Sequence, residues 1–354
     1  MRRGLQGPPT LAAFEPLAPG ALVLVALSGG ADSLALAAAA AAEAPKLGLR
    51  AGAVVIDHGL QPETAEVAER AARTAGEWGL APVLVRRVTV GSGGLGPEAA
   101  ARDARYAAFT AAAAETAAAA VLTAHTRDDQ AEQVLLALAR GSGTRSIAGI
   151  PHARSLAEST ALAEGAGHAV VLRPFLGEAP EITRTVTEQA CRELGVAPWC
   201  DPHNRDAVFA RVRVRRRVLP VLADELGAGA AAGLARSADL AREDADALDA
   251  LAAELAERAL AACSDAERLT VPAAVLAAAP AALRNRAVRL LAMRGFGAHL
   301  DRGHVLAVAA LATGPRGRGP VFVPGIRVSR SGDRLIFDEQ RGSPRDADPE
   351  SAVQ

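Results

Sequence analysis

Leu27-Ser28-Gly29-Gly30-Ala31-Asp32-Ser33-Leu34 is the stretch whose reading decides the fold. Ala21 to Leu27 is a short apolar run suited to a buried strand, and the alanine-leucine tract from Leu34 suits a helix. The turn between them is the predicted site. Gly29 and Gly30 let backbone N–H groups approach a ligand closely, and the free N–H groups that open a helix, with its dipole, attract an anion such as phosphate. A carboxylate beside phosphates repels them unless a hard cation sits between, so Asp32 points to Mg²⁺ carried by a nucleotide. Ser28 and Ser33 supply hydroxyls to the same oxygens. The plainer alternative is a tight turn shaped by Gly29 and Gly30, with Asp32 or Ser33 as N-cap. Lys46 is the only lysine, which removes a Walker A loop and a kinase strand lysine from consideration.

Outward from this corner, strands and helices alternate. Arg50 to Ile56 reads as a second buried strand ending in Asp57-His58-Gly59-Leu60, and Pro62 suits the first turn of a helix running to about Trp78. Pro82 to Val88 is a third strand and Val90 to Gly96 a glycine-rich loop. A helix from Pro97 carries Arg102, Arg105 and Tyr106, and Ala119 to Ala124 is a fourth strand ending at His125. This alternation implies a parallel sheet with right-handed crossovers, and in such sheets ligands collect at the carboxyl ends of the strands. Ser28, Asp57, His58 and His125 all fall there.

The second signal is Thr123-Ala-His125-Thr-Arg-Asp128-Asp129-Gln130-Ala-Glu132-Gln133. Asp128 or Asp129 is suited to N-cap the helix that runs to Arg140, with Gly141 closing it. Asp129 and Glu132, at i and i+3, share one face at the helix start. They form either a pocket for a cationic amine or a solvated helix end. Gly141 to Pro151 reads as a flexible loop, Val170 to Arg173 as a fifth strand, Glu181 to Leu194 as an amphipathic helix and Pro198 to Asn204 as a turn-rich junction. Between Arg205 and Arg217 there are six arginines against one acid, Asp206. That run is a solvated face or a phosphate track for RNA, for which Arg205, Arg211, Arg213 and Arg216 are the candidates.

Leu219 to Leu311 is alanine-rich and mostly helical, with a basic row of Arg284, Arg286, Arg289 and Arg294. Pro320 to Phe337 turns to strand character around Ser331-Gly332-Asp333. The expected domains are a lead-in over 1–19, a nucleotide-binding domain over 20–217, and a smaller helical domain with a terminal β-hairpin over 218–340. A polar tail over 341–354 is expected to be disordered. The formal charge of −1 means that nucleic acid is held by local patches. The three cysteines form no C-x-x-C pair, which argues against a disulfide framework or zinc ribbon. Prolines at 8 and 9 stand where a signal peptide has its apolar core, and no apolar stretch is long enough to span a bilayer. The expectation is a soluble cytoplasmic protein.

The six residues Ser28 to Ser33 resemble the pyrophosphatase loop of the N-type ATP pyrophosphatases, the PP-loop superfamily. Ser28–Ser33, Asp57–Leu60, Ala101–Tyr106, Thr123–Glu132, Arg173-Pro174 and Asp201–Asn204 follow the order seen in the tRNA(Ile)-lysidine synthase family, over about residues 20 to 220. The resemblance implies an α/β fold, a Rossmann-like parallel sheet with helices on both faces. It implies ATP-dependent adenylation of the wobble cytidine of an isoleucine tRNA with a CAU anticodon, followed by attack of free L-lysine. Ser28, Gly29, Gly30, Ala31, Asp32, Ser33, Ile56, His58 and His125 are then the nucleotide-binding residues. Asp32 matches the acid that holds Mg²⁺, Arg105 the arginine that steadies phosphate charge, and Asp129 and Glu132 the acids that receive lysine.

Three features depart from the family. Gln133 stands where Thr is common, Val212 follows Arg211 where longer members place Asn, and the chain ends soon after the hairpin, so the extra carboxyl-terminal domain of longer members is missing or reduced. Members are often dimers, and a homodimer is compatible with this chain. A tRNA thiolation enzyme of the same superfamily also adenylates a base but usually needs reactive or cluster-binding cysteines. A nonenzymatic ATP-binding module leaves Asp129, Glu132 and the arginines without a job.

Overall fold

Ala21 to Leu27 folds as its apolar run requires. Strand β1, Leu22–Leu27, has five of its six residues buried and pairs in parallel with β2, Arg50–Asp57, on one side and β4, Ala120–Leu122, on the other, so that Val25 lies opposite both Ala53 and Leu122. Successive side chains enter different layers, as the twofold period of a strand demands. Val23, Val25 and Leu27 pack with Leu34, Leu36 and Ala37 of helix α1, Ala31–Glu43, and with Ala68, Ala71 and Ala75 of α2, Thr64–Glu77. Leu22 and Leu24 pack instead with Tyr106, Phe109 and Ala113 of α3, Pro97–Thr116. Helices therefore cover both faces. Each fully buried Val or Leu in β1 contributes about 1.5–3 kcal/mol of burial free energy, and the small alanines let the helices approach closely.

The structure, a computed structural model, describes residues 17–57, 59, 63–88, 97–157, 169–176, 182–261, 269–315, 317 and 319–340. His58, the glycine-rich loop over 90–96, the lead-in up to residue 16 and the tail from 341 lie outside the described residues.

With β3, Val83–Arg87, and two short strands, β5, Ala153–Ser155, and β6, Val170–Leu172, the sheet runs β3-β2-β1-β4-β6-β5. All neighbours are parallel except the β5–β6 pair. The order reverses between β1 and β4, and the crevice at their carboxyl ends is where such a sheet holds a ligand. Helix α4, Arg127–Ala139, follows β4.

Several expectations are corrected. The segment from Gly141 to Pro151, expected as a flexible loop, contains a helical turn, α5, Thr144–Ile147, and is pinned by Gln130, whose Oε1 accepts from Ile150 N at 2.7 Å and whose Nε2 donates to Ile150 O at 3.2 Å. Strand β5, Ala-Arg-Ser, is an addition to the expected set, since it lacks the apolar run that marks the equally short β4 and β6. Helix α6, Arg184–Glu193, starts three residues later than the amphipathic pattern suggests, at an N-cap made by Thr183. The basic run enters α7, Ala210–Leu226, which carries a π-helical turn over Val214–Val218.

The chain divides into two compact units, 1–242 and 243–354, instead of at 217/218. The boundary moves because α8, Ala230–Ala261, is tied into the first unit at its start. Asp239 Oδ1 lies 3.2 Å from His152 Nε2, and Arg242 donates to the carbonyls of Ala148 and Ile150. The expected hairpin of the second unit is there as β9, Ile326–Ser331, and β10, Arg334–Glu339, turning at Gly332 with φ +59. It gains β8, Val321–Val323, and β7, Leu269–Pro272, a strand inside the region expected to be helical. The four strands form an antiparallel sheet in the order β7-β10-β9-β8. Helices α9, Ala273–Ala277, α10, Ala281–Phe296, and α11, Arg302–Thr313, share a core with it. Among the described residues no single helix is long and apolar enough to cross a membrane.

Candidate active site

The corner after β1 is shaped by its glycines. Gly29 has φ +79, and a Cβ there would stand 2.9 Å from Val67 Cγ1, so both the backbone angle and the space call for glycine. Gly30, not Asp32 or Ser33, is the N-cap of α1, and it provides no side-chain cap. Ser33 is instead a staple: Ser28 N donates to Ser33 Oγ at 3.1 Å, and Ser33 Oγ donates to Gly30 O at 2.9 Å. The Ser28 hydroxyl, 3.1 Å from Ser33 Oγ, completes the loop. Trp199 N donates to Gly29 O at 2.9 Å, docking the turn over 198–204 against it.

Ser28, Gly30, Ala31, Asp32, Ser33, Ile56, Arg105, His125 and Asp129 line one cavity of about 710 Å³ at the carboxyl ends of β1, β2 and β4. Gly29 faces a second cavity of about 430 Å³ beside α2. Asp32 sits at the first turn of α1, where burial raises its pKa and a hydrogen bond from Thr187 opposes that rise. Among the described residues no group of three His, Cys, Asp or Glu could hold a metal alone. A single carboxylate beside uncapped helix N–H groups suits Mg²⁺ that arrives on a triphosphate and takes most of its oxygens from phosphate and water. Asp32 is the residue that would hold it.

The acidic pair sits deeper. Thr126, not Asp128 or Asp129, caps α4: Asp129 N reaches Thr126 Oγ1, and Asp129 Oδ2 accepts from Thr126 N at 2.8 Å, a reciprocal capping box. Asp128 Oδ2 instead accepts from Arg184 N at 2.7 Å, which joins the start of α6 to that of α4. Asp129 and Glu132 are both buried, and Glu132 is 0% exposed. Buried carboxylates need partners, and three guanidiniums supply them. Arg215 Nε and Nη2 donate to Glu132 Oε1 and Oε2 at 2.6 and 3.0 Å. Arg211 donates from Nε to Glu132 Oε2 at 2.8 Å and from Nη2 to Asp129 Oδ1 at 3.0 Å. Arg184 Nη2 donates to Asp129 Oδ1 at 3.1 Å, while its Nη1 and Nε lie 3.5 Å from Glu132 and 3.9 Å from Asp32. Burial alone would raise the pKa of Asp129, but Arg211, Arg184 and the backbone N–H of Thr126 hold it below the usual carboxylate range.

His125 Nδ1 lies 3.1 Å from Thr123 Oγ1, and burial followed by the charge of Arg173 brings its pKa down to about 3, so the ring is neutral. Arg173 is itself buried, donating to Tyr106 Oη at 3.0 Å and Pro151 O at 2.7 Å, with Arg102 4.8 Å above the Tyr106 ring. Of the expected RNA track, Arg211 turns inward to the acids and Arg205 lines the cavity. Arg213 donates to the carbonyls of Ala207 and Val208, and Arg216 to that of Arg205. Nothing in the local sequence pointed to Arg184, Thr187 or Arg215 as site residues, because each reaches acids 55 or more positions away in the chain.

The fold and its first loop define a PP-loop protein: a family profile described as a PP-loop domain matches residues 10–222. The chain is similar to the U34-tRNA thiolase NcsA from Methanococcus maripaludis at a TM-score of 0.50 and 17% identity, over 68% of this chain and 78% of that one, a likeness of fold alone. It belongs to the tRNA(Ile)-lysidine synthase family, ATP-using ligases that modify tRNA. It is 53% identical to the tRNA(Ile)-lysidine synthase of Leifsonia xyli over 91% of both chains, and 48% identical to that of Streptomyces coelicolor over 91% of this chain and 86% of the other. The Mycobacterium bovis relative of the same name is 43% identical over 90% and 88%.

Proposed function

We propose that this chain uses ATP to join lysine to C2 of the wobble cytidine of an isoleucine tRNA with a CAU anticodon, through an adenylated tRNA, releasing AMP and pyrophosphate. The observation that carries this reading is the convergence, in one cavity, of a phosphate-type loop with Asp32, the Arg105 side chain and the buried carboxylate of Asp129, with Glu132 one turn on and fully buried behind it. In the first step the cytidine O2 bonds to the α-phosphorus and pyrophosphate leaves. Arg105 offsets the charge that gathers on the phosphoryl oxygens. Mg²⁺, held by Asp32, would supply Lewis-acid neutralisation of the triphosphate. Neutral His125 lines the nucleotide side without adding charge.

In the second step the lysine side-chain amine bonds to C2, AMP departs with the O2 oxygen, and the amine gives up a proton. Asp129, kept ionised by its arginine neighbours, is suited to bind the incoming ammonium and take that proton. The ammonium takes the place of one guanidinium on Asp129 Oδ1, which three arginines share. Glu132 holds the remaining pair. Arg205, Arg213 and Arg216 are assigned to tRNA phosphates. The enzyme acts in the cytoplasm, and its chain is compatible with a homodimer.

The test is pyrophosphate release from ATP by the purified protein, with tRNA and Mg²⁺ supplied singly and together, followed by labelled lysine. Release only with both, and lysine incorporation into the CAU-anticodon tRNA, is the expected result. Incorporation of sulfur instead, or release of ADP, overturns the reading.

A further inference from the structure

Thr187 lies behind Asp32, on the second turn of α6, and does not itself line the cavity. It is 1% exposed, so no bulk water competes for its hydroxyl. That hydroxyl has one proton and two acceptors in reach: Asp32 Oδ1, and Arg184 O at 2.8 Å. An ionised carboxylate is the stronger acceptor, so the proton goes to Asp32. The helix that brings Thr187 there is fixed at several points. Thr183 caps it, Asp128 accepts from its first N–H, and Cys191 Sγ donates to Ala31 O at 3.5 Å, one residue before Asp32. The Asp32 carboxylate is thereby held from outside its own loop. Its other oxygen, Oδ2, lies 3.9 Å from Arg184 Nε.

We propose that Thr187 is a positioning residue for the metal-binding carboxylate: its buried hydroxyl ties down Asp32 Oδ1 and leaves Oδ2 to the cation on the triphosphate. The inference rests on the assignment of Asp32 to Mg²⁺. Hydrogen-bond partners of metal ligands fix the ligand's rotamer, and losing one typically costs about 10–100-fold in metal affinity. Thr187 acts at the lower end of that range, because Asp32 also has Arg184 nearby.

The experiment is a titration of Mn²⁺ into the full chain with α,β-methylene-ATP, read by electron paramagnetic resonance, on the native protein and on Asp32→Asn, Thr187→Val and Thr187→Ser. Circular dichroism and tRNA affinity serve as controls. Thr187→Val should weaken Mn²⁺ binding about tenfold with tRNA affinity unchanged, and Thr187→Ser, which keeps the hydroxyl, should restore it to within about twofold. If Asp32→Asn weakens binding but Thr187→Val does not, or if Ser and Val are equally impaired, the positioning role is wrong while the metal assignment stands. If Asp32→Asn leaves Mn²⁺ affinity unchanged, the metal assignment itself fails. Should Thr187→Val not fold, Thr187→Ala replaces it in the same comparison.

Discussion

Arg215 grips Glu132 with both faces of its guanidinium fork, Nε on Oε1 at 2.6 Å and Nη2 on Oε2 at 3.0 Å, from 83 positions further along the chain. The pair crosses from α7 to α4 and joins the basic run to the acidic helix. Planar bidentate geometry of this kind is specific to arginine, and a lysine at 215 could not reproduce it. The acidic pair and two arginines of the basic run, Arg211 and Arg215, separate features along the sequence, are one cluster in the fold.

Removing one side of that cluster should be costly. Glu132→Gln keeps the volume but leaves Arg215 without its bidentate anionic partner and Arg211 with Asp129 alone. Breaking a fully buried pair costs roughly 3–5 kcal/mol. The two guanidinium side chains keep 34% and 24% exposure, so about 2–3 kcal/mol is expected once solvent screening is allowed for, measured by urea denaturation. Pyrophosphate release should be spared more than lysine transfer, since only the second step uses the amine pocket. A variant with native lysine dependence would remove Glu132 from that pocket.

The proposed RNA track makes a separate prediction. Replacing Arg213 and Arg216 together by alanine should weaken tRNA binding and lower the slope of log affinity against log salt by about 2, roughly one for each phosphate that is no longer neutralised. Replacing Arg211, which faces the acids, should change lysine dependence more than the salt slope. Binding by the double variant that matched the native protein across a salt titration would place the track elsewhere.

His125 gives the pH dependence. Its ring has an ordinary value of 6.5 when the chain is unfolded and about 3 when folded. Between these values the unfolded chain carries the extra proton, so folding stability rises with pH. The contribution is complete above about pH 6.5 and is lost as pH falls toward 3, with a slope of at most about 1.4 kcal/mol per pH unit. The His125 ring signal in a nuclear magnetic resonance titration should stay in its neutral position down to about pH 5. His125→Asn should flatten the acid limb of the stability curve. A midpoint near 6.5 for the native ring would contradict the half-buried, arginine-flanked environment.

What could be read in the chain follows from how local each signal is. The corner at 27–34 is legible because strand, glycines and helix are adjacent in sequence, and the sheet follows from apolar runs separated by helical ones. The RNA-track reading of the basic run does not foresee the inward turn of Arg211 and Arg215, and Arg184 and Thr187 give no sign at all. Their partners lie 55 to 155 positions away, and sequence periodicity carries no information about which side chain crosses a cavity. Strand β5, Ala-Arg-Ser, lacks the apolar run that marks the equally short β4 and β6, and β7, Leu-Thr-Val-Pro, is a four-residue break in a tract of helical composition. Thr126 is hidden as the cap because two acids follow it, and a capping box uses both kinds of residue in different roles.

The two glycines of the first loop should respond differently to the same change. At Gly29 an alanine meets two penalties: a left-handed backbone angle, φ +79, costing about 1–2 kcal/mol, and a methyl 2.9 Å from Val67 Cγ1. At Gly30 the backbone is extended with φ −75, and a methyl meets only Ser28 Oγ at 3.6 Å and Trp199 O at 3.9 Å, ordinary contacts. Gly29→Ala should therefore lower stability by about 2 kcal/mol or more and weaken nucleotide binding, while Gly30→Ala should leave the melting temperature nearly unchanged. Adding Val67→Ala to Gly29→Ala removes the overlap but not the backbone strain, so the double variant should still bind nucleotide less tightly than the native protein. Thermal melts and nucleotide titrations on the three variants check this. Equal melting temperatures for the two single variants would mean that the corner is not fixed by Gly29 in the way its geometry requires.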